Sequence, residues 1–162
     1  MEIKSFINIA QVKVTQQATE VLIVSNLGSC LGIGIFDPEN GIAGMVHCLL
    51  PLSKSDPGKA EINPCMYVDT GFACLLNNIL AHGATKQNLK IFVAGGANIN
   101  DAENVFEIGK KNYTVLKKIL WKNGLLLSAE DVGGEFSRTI SLYTGTGRCF
   151  LKINGETKEL GN

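Results

Sequence analysis

The reading of the fold starts from Leu31-Gly32-Ile33-Gly34-Ile35-Phe36, followed by Asp37-Pro38-Glu39-Asn40-Gly41 and Ile42-Ala43-Gly44-Met45-Val46-His47-Cys48-Leu49-Leu50. Large side chains at 31, 33 and 35 alternate with glycine at 32 and 34. That is the period of a strand with one bulky face, and glycine is a poor helix residue. The middle stretch has turn composition, and the third is again mostly apolar and reads as the return strand. Two strands around a short turn form an antiparallel hairpin. A turn centred between Pro38 and Glu39 sets Cys30 directly opposite His47, on one face, with Cβ atoms about 4.5–5.5 Å apart. A slip of one residue sets Cys48 opposite Cys30 instead and turns His47 to the other face. The first register predicts a thiol and an imidazole sharing a proton, with a nearby imidazolium lowering the thiol pKa. The second predicts a packed pair of thiols.

Working outward, residues 7–14 and 19–24 read as strands, the second apolar enough to be buried on both faces. Residues 50–64 are rich in Pro, Ser, Lys and Gly, a long connection of the kind that carries function. Val68, Phe72, Leu75, Leu76, Ile79 and Leu80 follow helical spacing, with Asp69 or Thr70 as cap and Gly83 as stop. His82 is expected to cap the carbonyls at that helix end. Residues 89–94 form a strand ending at Gly95-Gly96. Ile108, Asn112, Val115, Leu116, Ile119 and Leu120 mark a second long helix. Residues 125–129 read as a strand, 130–134 as a turn, and 139–143 with 148–153 as a last hairpin. Strands outnumber helices and lie mostly in hairpins. The expected fold is therefore α+β, a mostly antiparallel, sandwich-like sheet core with at least two packed helices, in one domain over residues 1–162.

Composition narrows the function classes. Hydrophobic residues make up 45% and charged residues 19%, which excludes a disordered chain. Fifteen basic and fifteen acidic residues give no net charge, so no general nucleic-acid or anionic-membrane binder is expected. No apolar run reaches the length of a membrane span, and the start shows no apolar leader core. The expected location is cytoplasmic, with reduced thiols. The five cysteines contain no Cys-x-x-Cys pair, so no metal site is expected, and most should be buried. Gly28-Ser29-Cys30-Leu31-Gly32 fits a nucleophile-elbow pattern, but a strand follows where an elbow feeds a helix. Gly95-Gly96 lacks the Lys-Ser/Thr of a phosphate loop. Glu130-Asp131 reads as a solvated turn, Lys110-Lys111 and Lys117-Lys118 as the wet face of a helix, and Phe72 and Trp121 as core.

Asn26-Leu27-Gly28-Ser29-Cys30, Phe36-Asp37-Pro38 and Gly44-Met45-Val46-His47 closely resemble the chemoreceptor glutamine deamidase family, CheD. Leu50-Pro51, Tyr67-Val68-Asp69-Thr70, Ala94-Gly95-Gly96-Ala97, Ile108-Gly109 with Asn112, and Ala129-Glu130-Asp131 with Gly133-Gly134 follow in the family's order. The resemblance covers roughly residues 20–150. It implies a cysteine-dependent amidohydrolase that converts glutamines of methyl-accepting chemotaxis receptors to glutamate. It also implies a fold and Cys–His chemistry like those of the cytotoxic necrotizing factor toxins, and binding to CheC-type phosphatases of the response regulator CheY. By position, Cys30 is the nucleophile and His47 the base, with no metal or organic cofactor. Backbone N–H groups near Gly28 to Cys30, in the loop of Gly28 and Ser29, are the expected oxyanion donors. The family's third catalytic residue, a Thr six positions before the Cys, is Val24 here. Ser25 supplies a hydroxyl only if a bulge re-aims it. That departure motivates an alternative: a catalytically weak binding module that regulates a CheC-type phosphatase or a receptor. Residues 50–64 are the expected docking lip for a protein substrate.

Overall fold

The computed structural model describes residues 1–99 and 106–161. Its ten strands are β1 (Ile3–Phe6), β2 (Val12–Thr15), β3 (Glu20–Leu27), β4 (Leu31–Asp37), β5 (Ile42–Cys48), β6 (Lys90–Gly95), β7 (Ala129–Val132), β8 (Arg138–Tyr143), β9 (Cys149–Ile153) and β10 (Glu156–Leu160). Its helices are α1 (Pro57–Ile62), α2 (Val68–Ala81) and α3 (Ile108–Lys122). The strands form two five-stranded sheets, ordered β1-β3-β8-β9-β10 and β2-β5-β4-β6-β7. Among the strands of the described residues, only the β1–β3 and β6–β7 pairs are parallel. The α+β reading with a mostly antiparallel core therefore holds.

Three layers follow from the period-two pattern of the second sheet. Leu31, Ile33, Ile35, Val46 and Cys48 point to one face and pack with Phe72, Leu75, Ile79, Leu116 and Leu120 of the two long helices. Phe36, Ala43, Met45, Phe92 and Ala94 point to the other face and pack with Leu22, Val24, Leu27, Ile140 and Leu142 of the first sheet. Gly44 lets α2 approach β5. A Cβ there would lie 2.8 Å from the Leu75 side chain and 3.1 Å from Ile79.

Several expectations are corrected. The strand read over residues 7–14 is two strands in different sheets. The chain crosses between them at residues 7–11, with Ala10 at φ 64°. The Ile7 N–H donates to the Ile23 carbonyl of the first sheet, and the Ala10 N–H to the His47 carbonyl of the second. The strand expected at 125–129 starts at Ala129, so Glu130-Asp131 lies within β7 rather than in a solvated turn. Asp131 pairs with Arg138 and Lys158. Strand β10 has a polar, mostly exposed sequence with no apolar alternation, and its pairing with β9 comes from the tight turn at Asn154-Gly155. Trp121 is 80% exposed, not core, because it sits just off the buried stripe Gly109-Asn112-Leu116-Leu120 of α3. Phe72 is core, and His82 Nδ1 lies 2.8 Å from the Asn78 carbonyl at the end of α2.

Candidate active site

The hairpin forms, in a register different from the one expected. Gly32 stands opposite His47 and Leu31 opposite Cys48, so Cys30 is not directly across from His47. The turn decides this. Asp37 pairs with Ile42, the Gly41 N–H donates to the Asp37 carbonyl, and Asp37 Oδ1 accepts from the N–H groups of Glu39 and Asn40. The turn centre therefore lies one whole residue later than expected, which moves every partner by two positions and leaves the faces unchanged. Cys30, just before β4, belongs to the cluster between the sheets, as do the neighbours of His47 along β5, Ala43 and Met45. Cys48 belongs to the helix-side cluster, where it sits under α2. A Cβ at Gly71 would lie 2.7 Å from its sulfur. The packed Cys30–Cys48 pair is thus ruled out by the faces on which the two thiols lie.

Cys30 and His47 line one cavity of about 440 Å³, together with Ile7, Ser25 and Asn26. The imidazole is held from outside the hairpin. His47 Nδ1 lies 3.1 Å from the Ile7 carbonyl oxygen. A carbonyl only accepts, so Nδ1 carries the proton and Nε2 is left with its lone pair, the tautomer of a general base. Sequence reasoning missed this partner, since a main-chain oxygen can come from any residue type.

Val24 and Ser25 part company at a bulge. Val24 pairs with Ile140 and Leu27 with Arg138, so Ser25 and Asn26 together face Thr139 alone. Asn26 takes the left-handed conformation, φ 56°. Val24 is fully buried between the sheets, and Ser25 lines the cavity shared by Cys30 and His47.

Cys30 also opens on a second, larger cavity of about 690 Å³, bordered by Gly28, Ser29, Ala97, Ile99, Phe106 and Tyr113. Cys30 thus borders two hollows. Residues 50–64, expected as a docking lip, border neither cavity. Gly95 and Gly96 pack against the loop that carries Cys30 rather than cradling an anion. A Cβ on Gly95 would lie 2.1 Å from the Cys30 carbonyl oxygen.

Burial works against the expected ion pair. Burial raises the Cys30 thiol above its ordinary 9.0, though its own backbone N–H partly offsets this. Burial lowers His47 below 6.5, and the bond to the Ile7 carbonyl only moderates the shift. Both side chains are less than a tenth exposed, and desolvation disfavours both charges. Both shifts favour a neutral thiol and a neutral imidazole in the shared cavity. Among the described residues, no cluster of His, Cys, Asp or Glu could hold a metal ion, and no helix is long and apolar enough to cross a membrane.

Residues 49–153 match the family described as CheD chemotactic sensory transduction. The chain belongs to the CheD family. It is 45% identical over 154 residues to a probable chemoreceptor glutamine deamidase CheD of Solibacter usitatus, covering 95% of this chain and 91% of that one. The corresponding protein of Syntrophus aciditrophicus is 38% identical, with 92% and 93% covered. That of Thermococcus kodakarensis is 38% identical, with 87% and 89% covered. The CheD family match begins two residues after His47, but the alignment to the Solibacter protein is too long to leave Cys30 and His47 outside it.

Proposed function

We propose that this protein is a cysteine-dependent protein-glutamine deamidase acting on chemoreceptors, with Cys30 as nucleophile and His47 as general base. The reading is supported by the cavity that Cys30 and His47 share, with a backbone carbonyl fixing the base tautomer. The names of the relatives give the substrate class.

The glutamine carboxamide enters beside Cys30, and Sγ attacks its carbon. His47 Nε2 takes the thiol proton as the S–C bond forms, so no thiolate need exist beforehand. The carbonyl oxygen becomes an oxyanion, held by N–H groups of the Ser29-Cys30 segment. The imidazolium then passes its proton to the amide nitrogen, the C–N bond breaks, and ammonia leaves a thioester. His47 next takes a proton from water as its oxygen attacks the thioester carbon. The C–S bond breaks, Cys30 recovers the proton from His47, and glutamate is released. Ser25 is the cavity's supporting hydroxyl. Its expected share is modest, because the Ile7 carbonyl already orients the ring. The exposed apolar side chains of Phe6 and Ile9 on one side of Cys30, and Ile99 and Phe106 on the other, suit an amphipathic receptor helix. A CheC-type phosphatase is the second partner in this reading, tested by co-purification.

The deciding experiment measures ammonia release and glutamine-to-glutamate conversion on a purified cytoplasmic receptor fragment. Wild type releases ammonia, and Cys30→Ala retains fragment binding with release down by about 10³-fold or more. Binding without release by wild type overturns the deamidase reading.

A further inference from the structure

Asn112 is a fully buried polar residue in the middle of the inward stripe of α3, between Gly109 and Leu116. Its Nδ2 donates to the Ser29 carbonyl at 2.9 Å and to the Leu49 carbonyl at 3.1 Å. The first acceptor immediately precedes the nucleophile, and the second lies two residues past His47. One amide nitrogen with two hydrogens therefore ties together the two chain segments that carry the reacting pair. Two carbonyl acceptors on the same side also fix which end of the amide is nitrogen. Its Oδ1 is buried without a hydrogen-bond partner.

The consequence lies in the peptide plane. In a trans peptide the carbonyl and the following N–H point in opposite directions, and no peptide described is cis. Pinning the Ser29 carbonyl toward α3 turns the Cys30 N–H away from α3, toward the side of the thiol. The neighbouring carbonyls are held in the same way. The Gly28 carbonyl accepts from the Ala97 N–H and the Cys30 carbonyl from the Gly96 N–H, each at 2.9 Å. Three successive carbonyls are turned into the protein. Among the described residues no backbone carbonyl outside the regular elements accepts from the N–H of Ser29 or Cys30, and the Cys30 N–H faces its own thiol. The helix comes near enough because position 109 is glycine. A Cβ there would lie 2.4 Å from the Gly96 carbonyl oxygen.

We propose that Asn112 is a positioning residue of this site, whose side-chain amide pins the Ser29 carbonyl and so aims the Cys30 N–H at the oxyanion. The proposal rests on the deamidase reading above. Asn112→Asp keeps the side-chain shape and replaces the two donor hydrogens by acceptor oxygen. Three quantities are measured on a receptor fragment and a peptide carrying glutamate γ-semialdehyde in place of the glutamine, which forms a thiohemiacetal with a Cys thiol. Asn112→Asp is expected to lower kcat by about 10–100-fold, somewhat less than outright removal of an oxyanion donor. KM stays within about threefold, and aldehyde affinity falls in step with kcat. Alkylation of Cys30 by iodoacetamide, which forms no oxyanion, stays within about threefold. Unchanged kcat overturns the proposal. So does a parallel loss of alkylation, which marks a merely structural residue. Ammonia release by wild type that Asn112→Asp does not reduce sinks only the role of Asn112, whereas no release by wild type sinks the deamidase reading and this proposal together. If Asn112→Asp does not fold, the Cys30 amide proton of wild type is followed by NMR on aldehyde binding. A downfield shift larger than that of any other amide supports the proposal, and no shift overturns it.

Discussion

His47 and Cys30 are each pushed toward neutrality by the same burial, and their pH behaviour follows. Below 6.5 the imidazole begins to protonate and is lost as a base, but desolvation delays this to lower pH. The acid limb of kcat/KM should therefore fall below pH 6.5, with the enzyme fully active at neutral pH. Alkylation of Cys30 by iodoacetamide should still be rising above pH 9, since its thiol titrates above 9.0. A flat alkylation profile from pH 6 to 8 would reveal a preformed ion pair and contradict this account. Stability carries the same sign. The folded state disfavours the imidazolium, so the unfolded chain binds the extra proton. The contribution of His47 is fully present above 6.5 and is lost as pH falls below it. Urea midpoints of wild type and His47→Gln measured from pH 7.5 to 5 should show the steeper acid loss in wild type.

At the scale of the element, the bulge in β3 decides which side chain meets the site. Val24 fills space between the sheets, where a Cβ on Gly32 would come within 3.4 Å of it. Val24→Ala should cost about 1–3 kcal/mol in stability by urea denaturation. Ser25→Ala should leave stability within about 0.5 kcal/mol and lower kcat by about tenfold or less, which separates a hydroxyl in the cavity from packing. Asn26 holds the bulge at φ 56°, a conformation that β-branched residues resist. Asn26→Gly should be tolerated, and Asn26→Val should cost about 1–3 kcal/mol and reduce activity, because straightening the strand turns Ser25 out of the cavity.

Across the whole molecule, the two sheets are tied at their ends by charge. Arg138 of β8, 6% exposed, gives Nε to Asp131 of β7 at 2.8 Å, and its Nη1 donates to the Gly95 carbonyl. Lys158 of β10 reaches the other oxygen of Asp131 at 3.1 Å. The same Gly95 packs against the Cys30 carbonyl, so this tie adjoins the loop that carries Cys30. Removing one partner of a buried pair costs about 3–5 kcal/mol, and the partial exposure of Asp131 reduces that. Arg138→Met should therefore lower unfolding stability by about 2 kcal/mol in guanidinium titration. An unchanged midpoint would show that the tie adds nothing to stability.

Local pattern alone carried much of this protein. The alternation around Gly32 and Gly34 fixed the hairpin, and the parity of positions 30 and 47 survived the shifted turn because faces repeat every two residues. Helical spacing placed α2 and α3 within a residue or two, with Asn112 among the positions that mark α3. The tertiary structure decided the rest. The turn hydrogen bonds of Asp37 chose the register, and the crossing at residues 7–11 split one apparent strand between two sheets. A main-chain oxygen forty residues from His47 chose its tautomer. Side-chain periodicity is written in the residues themselves, whereas every residue offers the same backbone carbonyl, and only the folded path of the chain determines which one arrives.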